Sequence, residues 1–420
     1  MLEVRGFRGL TYDTGKVGSQ DYVIPPPYYV ITPEERALLA SRSPYSMAHL
    51  ILPQDEEGRS RYIAASERIR SWLDEGVLVQ DPAPFYYLLR QTFVDLHGNP
   101  LVRRGFYGIV RLPEAGERHI LGHERTFDKP VEDRLRLTEA TQANLGAVFG
   151  LYSDPDGALS AFLGEMDRRP PEGSAETIDG VHQEFWRAAP DEAVTRFFRD
   201  KVIYIADGHH RFRTACAYRD AMRAIDKSDT PQPWDYALMG FVAFEDPGLK
   251  IYPPHRVAPP PPGFDADAFL AALKPWFEVT PVGVSEGLPE LVEATPGECV
   301  IGLVLPGKGA FLLILRDIDR IEMLGDDRGP AWRDLDVAVL HRGLLERILG
   351  FEEGTEFIYE KNAEMALAAA TGDSPSLVFI LRPTRPDQIC ACAEAGEAMP
   401  QKSTYFFPKL PSGVVIHRLL

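Results

Sequence analysis

The chain has little cysteine and no long apolar run, and each shortage excludes a class of protein. Its four cysteines, Cys216, Cys299, Cys390 and Cys392, are too few and too scattered for a disulfide framework. The pair at 390 and 392 lacks the two-residue spacing of a redox or zinc motif. No apolar run approaches the roughly 20 residues of a membrane-spanning helix, and the N-terminus lacks the apolar segment of a secretory signal. We therefore expect buried or inert thiols in a cytoplasmic protein with no membrane partner.

Basic side chains are also outnumbered by acidic ones. The 420 residues contain 45 Lys and Arg against 62 Asp and Glu, which gives a formal net charge of −17. Nucleic acids and anionic membranes both attract basic surfaces, so we expect no nucleic acid partner. This balance still allows a local basic pocket for a nucleotide. The hydrophobic content of 45% is ordinary for a globular protein, and the length predicts two or three domains.

The strongest positive signal is the stretch Asp207–Arg211 (Asp-Gly-His-His-Arg), which we call the DGHHR box. It follows the apolar run 202–206 and opens an amphipathic run at residue 212. This order predicts a strand, a glycine turn and a helix whose first N–H groups point at a ligand in the turn. A carboxylate could hold Mg²⁺ or orient a hydroxyl, and His and Arg could neutralise phosphate charge. The less favoured alternative has Asp207 as a helix cap and the histidines in structural hydrogen bonds.

A second cluster is His123-Glu124-Arg125-Thr126, which is followed by Glu132-Asp133-Arg134. A Glu beside an Arg could act as general base for a hydroxyl while the Arg pairs with a phosphate. The alternative is a solvated charge cluster in which Glu132 and Arg136 form an i,i+4 helix pair. The residues alone favour neither interpretation.

Three further patterns are weaker. The stretch 302–308 fits G-x-x-x-x-G-K, but Gly309 replaces the Ser or Thr of a P-loop and Gly302 falls inside a strand-like run, so we predict a β-hairpin. The segment 400–409, with Lys402 and Ser403, could close over a nucleotide or simply enter a terminal strand. His255-Arg256 is similarly ambiguous. The two adjacent histidines of the DGHHR box do not predict a zinc site, because neighbouring side chains diverge.

The remaining patterns predict intermingled helices and strands, and hence an α/β or α+β chain. Expected helices begin at Pro33, with Thr32 as N-cap, and cover Arg61–Glu75, Ala266–Trp276 and Val337–Leu349. Expected strands are Phe85–Val94 and Leu101–Leu112, which pair around the turn at residues 97–100, and Tyr236–Phe244, Cys299–Leu305, Ala310–Leu315 and Leu377–Leu381. Residues 130–152 and 156–200 are expected to be mainly helical, with the loop Arg168–Ser174 joining two helices.

The clearest seam in the chain is the run of four prolines at 259–262, which cannot continue a helix. We expect an N-terminal α/β part at residues 1–115 that packs with the core. The core itself, with the DGHHR box, is expected at 116–257. A proline-rich linker at 258–263 would then lead to a C-terminal α/β domain at 264–420.

The ten residues Ala206–Ala215 (A-D-G-H-H-R-F-R-T-A) are identified as the signature of a widespread, functionally uncharacterised bacterial and archaeal family. Further segments agree with this family in the same order and span nearly the whole chain: Phe7–Asp13, Pro26–Tyr28, His123–Thr126, Asp246–Leu249, Pro254–Arg256 and Met399–Phe406. The family usually has Asp where Tyr29 stands, so we expect a polar contact to be lost there.

That family resembles, more distantly, the ParB/sulfiredoxin-like superfamily, in which a G-x-x-R-x-x-A box binds nucleotide phosphates at a helix N-terminus. The superfamily includes CTP-binding partition proteins, ATP-dependent sulfiredoxins and ADP- or ATP-dependent free-serine kinases. The resemblance implies a ParB/sulfiredoxin-like nucleotide-binding core, with Glu124 activating an acceptor hydroxyl and Asp207 assisting phosphoryl transfer. Sulfiredoxin chemistry is not expected, because no cysteine lies at the box and Cys216 falls a turn into the helix.

We therefore expect a phosphotransferase that uses ATP or ADP, or CTP, with Mg²⁺, on a small hydroxylated metabolite such as free serine. One alternative is a non-catalytic nucleotide- or metabolite-binding regulator. Another is a ParB-like DNA-associated NTPase, which the acidic net charge disfavours. A homodimer is an open option. The candidate catalytic residues are Glu124, Asp207 and His209, and Asp207 is the candidate metal ligand. The candidate nucleotide-binding residues are Gly208, His210, Arg211, Arg125 and Thr214. Further candidates are His123, Arg134, His255, Arg256, Lys402 and Ser403.

Overall fold

The structure, a computed structural model, describes residues 1–283, 285–371 and 374–420. Its backbone divides into two units. The first unit contains residues 1–122, 126–250 and 408–420, and the second contains residues 123–125 and 251–407. The chain leaves the first unit after Lys250 and returns to it at Pro408, whereas the sequence predicts boundaries near 115 and at 258–263.

A nine-stranded sheet of mixed direction lies at the centre of the first unit. From one edge to the other its strands are Ile120–Leu121, Ile203–Asp207, Val148–Tyr152, Tyr236–Ala243, Pro100–Arg111, Tyr86–Val94, His182–Ala188 and Gly173–Glu176, with Val4–Arg5 added beside Pro100–Arg111. Parallel and antiparallel pairings both occur in it. The expectation of a mixed α/β chain is confirmed.

The predicted hairpin around residues 97–99 is present as the two longest strands of this sheet, Tyr86–Val94 and Pro100–Arg111. Both runs are rich in aromatic and aliphatic residues, which suit a pleated surface, and Gly98 makes the turn with φ +83°. One face of the sheet belongs to the hydrophobic core, with residues such as Phe106 and Phe241. Because side chains alternate along a strand, the other face receives Gln91, Arg103 and Tyr107, and this is the face on which polar groups collect.

Helices and short turns surround the first sheet. The α-helices are Thr14–Val17, Pro33–Arg42, Ala48–Ile51, Arg61–Asp74, Asp128–Thr141, Ser160–Leu163, Glu192–Phe198 and His209–Ile225, and the 3₁₀ turns are Gln20–Tyr22, Tyr28–Val30, Gly164–Asp167 and Pro233–Asp235. Two-stranded sheets join Leu10–Tyr12 to Leu78–Gln80 and Ala143–Asn144 to His417–Arg418. The predicted start at Pro33 is confirmed, because Thr32 and Glu35 form a reciprocal capping box.

The second unit is built on a six-stranded antiparallel sheet. Its strand order is Phe277–Val282, Gly309–Leu315, Val300–Leu305, Leu377–Ile380, His255–Ala258 and Ile358–Glu360. Its helices are Ala266–Leu273, Leu288–Ala294, Arg320–Leu324, Pro330–Arg333, Asp336–Ala338, Ala363–Ala368 and Pro386–Ala395, with a π-helical segment at Val339–Ile348. Lys250–Tyr252 and Tyr405–Phe407 form a small separate sheet. The P-loop lookalike is confirmed as a hairpin turn, with Leu305 paired to Gly309.

Two sequence-based expectations are wrong. Residues 130–152 and 156–200 are not mainly helical, since Val148–Tyr152, Gly173–Glu176 and His182–Ala188 are strands. Val148–Tyr152 is buried at all five positions, and such a short apolar run has no periodicity that separates strand from helix. The loop Arg168–Ser174 consequently leads from a 3₁₀ turn into a strand and does not join two helices.

Cysteines and helix lengths agree with the composition. None of the four cysteines, all of which the structure describes, forms a disulfide bond, and burial raises the pKa of Cys216 to about 11 and that of Cys392 to about 12. Both thiols are therefore protonated at neutral pH and poorly nucleophilic. Within the described ranges, no helix is long and apolar enough to cross a membrane.

Candidate functional site

The DGHHR box folds as the sequence predicts. Strand Ile203–Asp207 ends at the carboxylate, Gly208 is the N-cap residue, and helix His209–Ile225 begins directly after it. Gly208 has φ +88°, and a Cβ there would lie 2.8 Å from Nε and Nη2 of Arg211. Glycine is thus required twice, by the left-handed backbone and by the arginine folded over it. The result is a helix N-terminus, with its orphan N–H groups and positive dipole, beside a guanidinium.

Asp207 is surrounded by positive charge. Its Oδ2 lies 3.0 Å from Nζ of Lys409 and accepts a hydrogen bond from the Tyr29 hydroxyl, while Arg211 Nη2 lies 3.8 Å from Oδ1. The alternative role as a helix cap is not observed. Burial alone would raise the pKa of Asp207, but the charges of Lys409 and Arg211 and the Tyr29 hydrogen bond outweigh burial and hold that pKa well below its usual value. The carboxylate is therefore ionised at any physiological pH.

Arg211 is fixed by the backbone as well as by charge. Its Nη1 donates to the carbonyl oxygen of Ala147, and its guanidinium carbon lies 5.6 Å from the centre of the Tyr29 ring. The Nζ of Lys409 lies at the same distance from that ring. The two cations thus share Asp207 and Tyr29, so that one carboxylate is matched by two positive side chains. This local excess of positive charge suits an anionic ligand.

The two histidines of the box have different surroundings. His209 is 5% exposed, and its ring packs so closely on Gly122 that a Cβ there would lie 2.9 Å away. His210 accepts a hydrogen bond at Nε2 from the Phe127 N–H (3.1 Å), and the two rings stack with centroids 6.2 Å apart. His210 is therefore oriented by the loop before helix Asp128–Thr141. The burial of His209 favours packing, and a catalytic role for it stays a prediction.

A cavity adjoins the box in the first unit. It encloses about 600 Å³ of space, part of it open to solvent. Its walls are mainly apolar, with the candidates Arg211, Thr214 and Arg134 among them. Thr214 is 3% exposed, and Arg134 donates from Nη1 to the carbonyl oxygen of Ile51 (2.7 Å) and lies over the Tyr28 ring. Apolar walls with a few placed polar groups are typical of small-molecule sites of this size.

The other predicted residues belong to the second unit. Glu124, which is half-buried, forms an isolated bridge with Met399, and Arg125 is exposed. Four of the remaining five side chains lie in a buried polar cluster around the chain segment 399–404. His123 Nε2 lies 3.3 Å from Thr404 Oγ1, Arg256 Nη2 donates to the carbonyl oxygens of Gln401 and Lys402, Ser403 Oγ donates to Pro400, and His255 Nδ1 accepts from Leu381 N–H.

These contacts favour a structural role for His123, His255, Arg256 and Ser403, because each is 3% exposed or less. Burial and the charge of Arg256 lower the pKa of His255 to about 4, so this imidazole is neutral at physiological pH. Lys402 contributes a backbone carbonyl and has φ +53°, while its side chain is exposed. A ligand-binding role for any of the five residues stays a prediction.

Two residues of the site were missed by the sequence analysis. Lys409 lies at the end of the segment 400–409, in which the sequence predicts Lys402 and Ser403 as site residues. Tyr29 was expected to lose a polar contact, and this was wrong, since its hydroxyl donates to Asp207. The only signal for Lys409 was a lysine between prolines and a terminal apolar run. Its partner is 202 residues away in the chain, which no local pattern encodes.

No metal cluster is evident in the described ranges, where no three His, Cys, Asp or Glu side chains are grouped to hold an ion. Mg²⁺ is usually bound by one or two carboxylates together with substrate phosphates and water. A single carboxylate such as Asp207 is compatible with that mode, and its role as a metal ligand stays a prediction.

The fold is similar to that of several solved structures, although at low identity. A variant of free serine kinase in complex with AMP has a TM-score of 0.36 and 16% identity over 71% of this chain and 87% of that chain. A conserved hypothetical protein from Pyrococcus furiosus has a TM-score of 0.35 and 16% identity over 73% of this chain and 93% of that one. A further free serine kinase variant, in complex with ADP, has a TM-score of 0.35. No curated protein matches the chain.

The match to a protein family is more extensive. Residues 4–338 match the family described as protein of unknown function DUF1015, which is well over half of the chain. The chain belongs to this family.

Proposed function

We propose that this family member is a nucleotide-dependent phosphotransferase that acts on a small hydroxylated metabolite, with free serine as one candidate. The observation that carries the proposal is the DGHHR box itself. There, Gly208 and the N-terminus of a 17-residue helix lie beside Arg211 and Lys409, and a single carboxylate, Asp207, faces both cations. We also propose that this part of the first unit is a ParB/sulfiredoxin-like core.

The phosphates of the nucleotide would lie at Gly208. Backbone N–H groups of the first helical turn can donate to phosphate oxygens, and the helix dipole favours negative charge there. Arg211 adds a positive charge and a guanidinium donor, Nη2, for a phosphate oxygen. His210, held by Phe127, is a further candidate for phosphate contacts, and for Arg125 this role rests on residue chemistry alone. Lys409 would add a second positive charge. Since Asp207 balances only one of the two cations, one positive charge is left to attract the phosphates.

The nucleoside would occupy the adjoining cavity. Arg211 and Thr214 line it on the side of the helix, so a ligand with its phosphates at the box could extend into it without leaving the first unit. Its apolar walls suit a flat base, and its polar groups could fix the orientation of the base. ATP, ADP and CTP are all candidates, since the apolar walls of the cavity can pack against any nucleobase.

The nucleotide supplies the phosphoryl group, and the side chains would bind and orient it. Asp207 would keep Lys409 and Arg211 oriented toward the phosphates. It could also supply the single protein oxygen to a Mg²⁺ ion that arrives on the nucleotide. For Glu124 as general base, and for His209 as a catalytic residue, the proposal rests on the sequence resemblance and on residue chemistry alone.

Calorimetric titration of ATP, ADP and CTP, with Mg²⁺, tests the nucleotide site directly. We expect Arg211→Ala to weaken binding at least tenfold, because a positive charge and a charge-assisted hydrogen bond are lost. Arg213→Ala is the matched control: it is two residues further along the same helix, is exposed, and pairs with Asp128. Equal affinity in wild type and Arg211→Ala would contradict the proposed phosphate site.

Mass spectrometry of products tests the transfer. The protein would be incubated with each nucleotide, Mg²⁺ and a pool of hydroxylated metabolites, and a phosphorylated product is expected. Nucleotide binding without any product would favour the non-catalytic regulator instead.

A further inference from the structure

Three buried polar atoms on the polar face of the nine-stranded sheet lack a hydrogen-bond partner within the described residues. They are Nη1 of Arg103, the hydroxyl oxygen of Tyr107 and Nε of Arg211. Each of these groups carries a hydrogen that it can donate. Buried polar groups in folded proteins nearly always form hydrogen bonds. A group of buried donors without partners therefore indicates a site for a ligand that accepts hydrogen bonds.

The strand register places these groups on the same face as the DGHHR box. Across the sheet, Asp207 pairs with Phe149 after a shift in register that follows Ile205, Phe149 pairs with Gly240, and Gly240 pairs with Tyr107. Directly paired residues project from the same face of a sheet. Arg103 precedes Tyr107 by four positions on its strand, an even number, and therefore shares that face. The row from the box to Tyr107 is thus continuous, with Arg103 beside it.

Arg103 is a buried cation that forms no salt bridge with any carboxylate in the part of the chain that the structure describes. It is 1% exposed, its Nε donates to Oε1 of Gln91 (2.9 Å), and its Nη2 donates to the same oxygen. Gln91 is committed elsewhere, because its Nε2 donates to Gln183 and to the carbonyl oxygen of Lys409. The guanidinium carbon lies 4.8 Å from the centre of the Phe149 ring, so the side chain extends toward the row that leads to Asp207.

Charge acts across this group of residues. Burial raises the pKa of Tyr107, while the positive charges of Arg103 and Arg211 lower it, so both guanidinium groups lie close enough to act on the phenol. Burial lowers the pKa of Arg103 to about 9, only partly offset by the charge of Asp246. Arg103 therefore remains protonated at neutral pH. The carboxylate of Asp246 accepts from the backbone N–H groups of Arg104 and Gly248.

We propose that Arg103 and Tyr107, with Nε of Arg211, form a buried oxyanion subsite that holds the carboxylate or phosphate group of the acceptor metabolite. The inference rests on the proposed phosphotransferase function and adds that the acceptor is an anion. An oxyanion fits because all three orphan groups are donors, and because its charge would offset a guanidinium that has lost its hydration. A neutral polyol could accept the same hydrogen bonds but would leave the buried charge uncompensated.

The C-terminal segment covers the subsite. Leu410 lies over Gly240, where a Cβ would be 2.5 Å from its Cδ1, and the carbonyl oxygen of Lys409 is bound by Gln91. Gly240 lies between Phe149 and Tyr107 in the row. Residues 409–410 therefore lie over the row, and the side chain of Lys409 links this segment to Asp207.

Calorimetry with three compounds that share one carbon skeleton tests the subsite. Glycerate carries a carboxylate, glycerol 3-phosphate carries a phosphate, and glycerol is neutral. We expect the full-length wild type, with ADP and Mg²⁺ present, to bind one or both anions and not glycerol. Arg103→Met should weaken anion binding by about thirtyfold or more, since a charge-assisted pair is removed, and Tyr107→Phe by about tenfold, since one hydrogen bond is lost.

Arg104→Met is the matched control. Arg104 is adjacent on the same strand, points to the opposite face and pairs with exposed Asp167 at 3.1 Å, so its loss should leave anion affinity within about twofold. Thermal unfolding of each variant would show that it is folded. Anion affinity that is unchanged in Arg103→Met, or equally reduced in Arg104→Met, would overturn the subsite, as would a wild type that binds neither anion.

The product assay separates this inference from the proposed function. Phosphorylation of glycerol at a rate that Arg103→Met leaves unchanged would overturn the subsite and support the phosphotransferase. Anion binding that depends on Arg103, without any product from any nucleotide, would support the subsite and contradict the phosphotransferase.

Discussion

Arg103 in the first unit and Arg256 in the second are both buried to 1% exposure or less, and the two differ in how they are satisfied. Arg256 donates from Nε to His341 (2.9 Å), from Nη1 to the carbonyl oxygen of Pro254, and from Nη2 to two carbonyl oxygens of the segment 399–404. Arg103 donates to one oxygen of Gln91 and keeps Nη1 unpartnered within the described residues. An arginine whose donors all have acceptors in the protein holds the structure together. An arginine with a donor left over can also bind a ligand.

Burial has a similar electrostatic effect on both. It lowers the pKa of Arg256 to about 10 and that of Arg103 to about 9, so each stays protonated at neutral pH. Each also lies over an aromatic ring, Tyr359 for Arg256 and Phe149 for Arg103. Charge and burial therefore do not distinguish the two arginines. The difference lies in hydrogen-bond satisfaction, which depends on how the surrounding chain is arranged.

The largest expected effect is on stability and separates the two arginines directly. Arg256→Met should lower the free energy of unfolding by about 3 kcal/mol, because three carbonyl groups, one of them buried, and His341 lose their donor. Arg103→Met should lower it less, by about 1 kcal/mol, since only one buried acceptor, Oε1 of Gln91, loses its donors. Urea unfolding followed by fluorescence measures both values. Hydrogen exchange in residues 399–404 should rise in Arg256→Met only. Equal destabilisation by the two substitutions would remove the distinction.

The next effect concerns catalysis and tests whether residues 123–125, which belong to the second unit, contribute chemistry. Glu124→Gln should lower the turnover rate by more than about a hundredfold while nucleotide affinity is retained, as general-base catalysis predicts. Steady-state kinetics and calorimetry on the same protein give the two quantities. Unchanged turnover would contradict the assignment of Glu124 and confine the candidate chemistry to the first unit.

Gly208→Ala should produce a smaller loss in the first unit. The positive φ costs about 1–2 kcal/mol for a non-glycine residue, and the added Cβ displaces Arg211. We expect lower stability together with lost nucleotide binding. Gly180→Ala is the matched control, because Gly180 has φ +75° with open space around its Cβ position. It should reproduce the strain and leave binding intact, and similar binding losses in both variants would contradict the role of Arg211.

The smallest effect at neutral pH is a pH dependence of stability. Burial is the largest cause that lowers the pKa of His255 to about 4 and of His341 to about 3 in the second unit, and of His417 to about 4 in the first. Unfolded histidine titrates near 6.5, so the folded state binds fewer protons between pH 6.5 and about 4. Stability is full above pH 6.5 and should fall as pH decreases, by at most about 1.4 kcal/mol per pH unit for each histidine.

Urea unfolding between pH 7 and 4.5 measures this slope. His255→Asn, which keeps an acceptor near Leu381 N–H, should reduce the slope by about one proton. A slope that is the same in wild type and His255→Asn would show that this imidazole does not titrate on unfolding.

Local patterns predicted much of the fold. The capping box at Thr32, the hairpin around Gly98 and the strand–glycine–helix order at Gly208 are all present, since each depends on a few neighbouring residues. The helix expected at Val337–Leu349 is also present, although most of it is π-helical. The errors fall on Val148–Tyr152 and His182–Ala188, whose strand state depends on pairing with distant partners.

The candidate site shows the same limit. Asp207, Gly208 and Arg211 could be recognised because they are adjacent in the chain. Lys409 and Tyr29 could not, since they lie 202 and 178 residues from Asp207 and carry no pattern of their own. In the sequence, Arg103 and Arg104 are two adjacent arginines of one predicted strand, and nothing distinguishes them. The difference between them is that Arg103 is buried in the folded protein.

The sequence by itself determined that a carboxylate, a glycine with left-handed backbone and an arginine meet at the start of a helix. The backbone requirements of that turn are local, and residue identities suffice to set them. The tertiary structure decided that the carboxylate is shared by Lys409 and Tyr29, and that Arg103 is buried on the same sheet face. Strand order and register bring these groups together. The alternation of side chains in the sequence predicts which residues share a face of a strand, but it does not predict which strands pair with it.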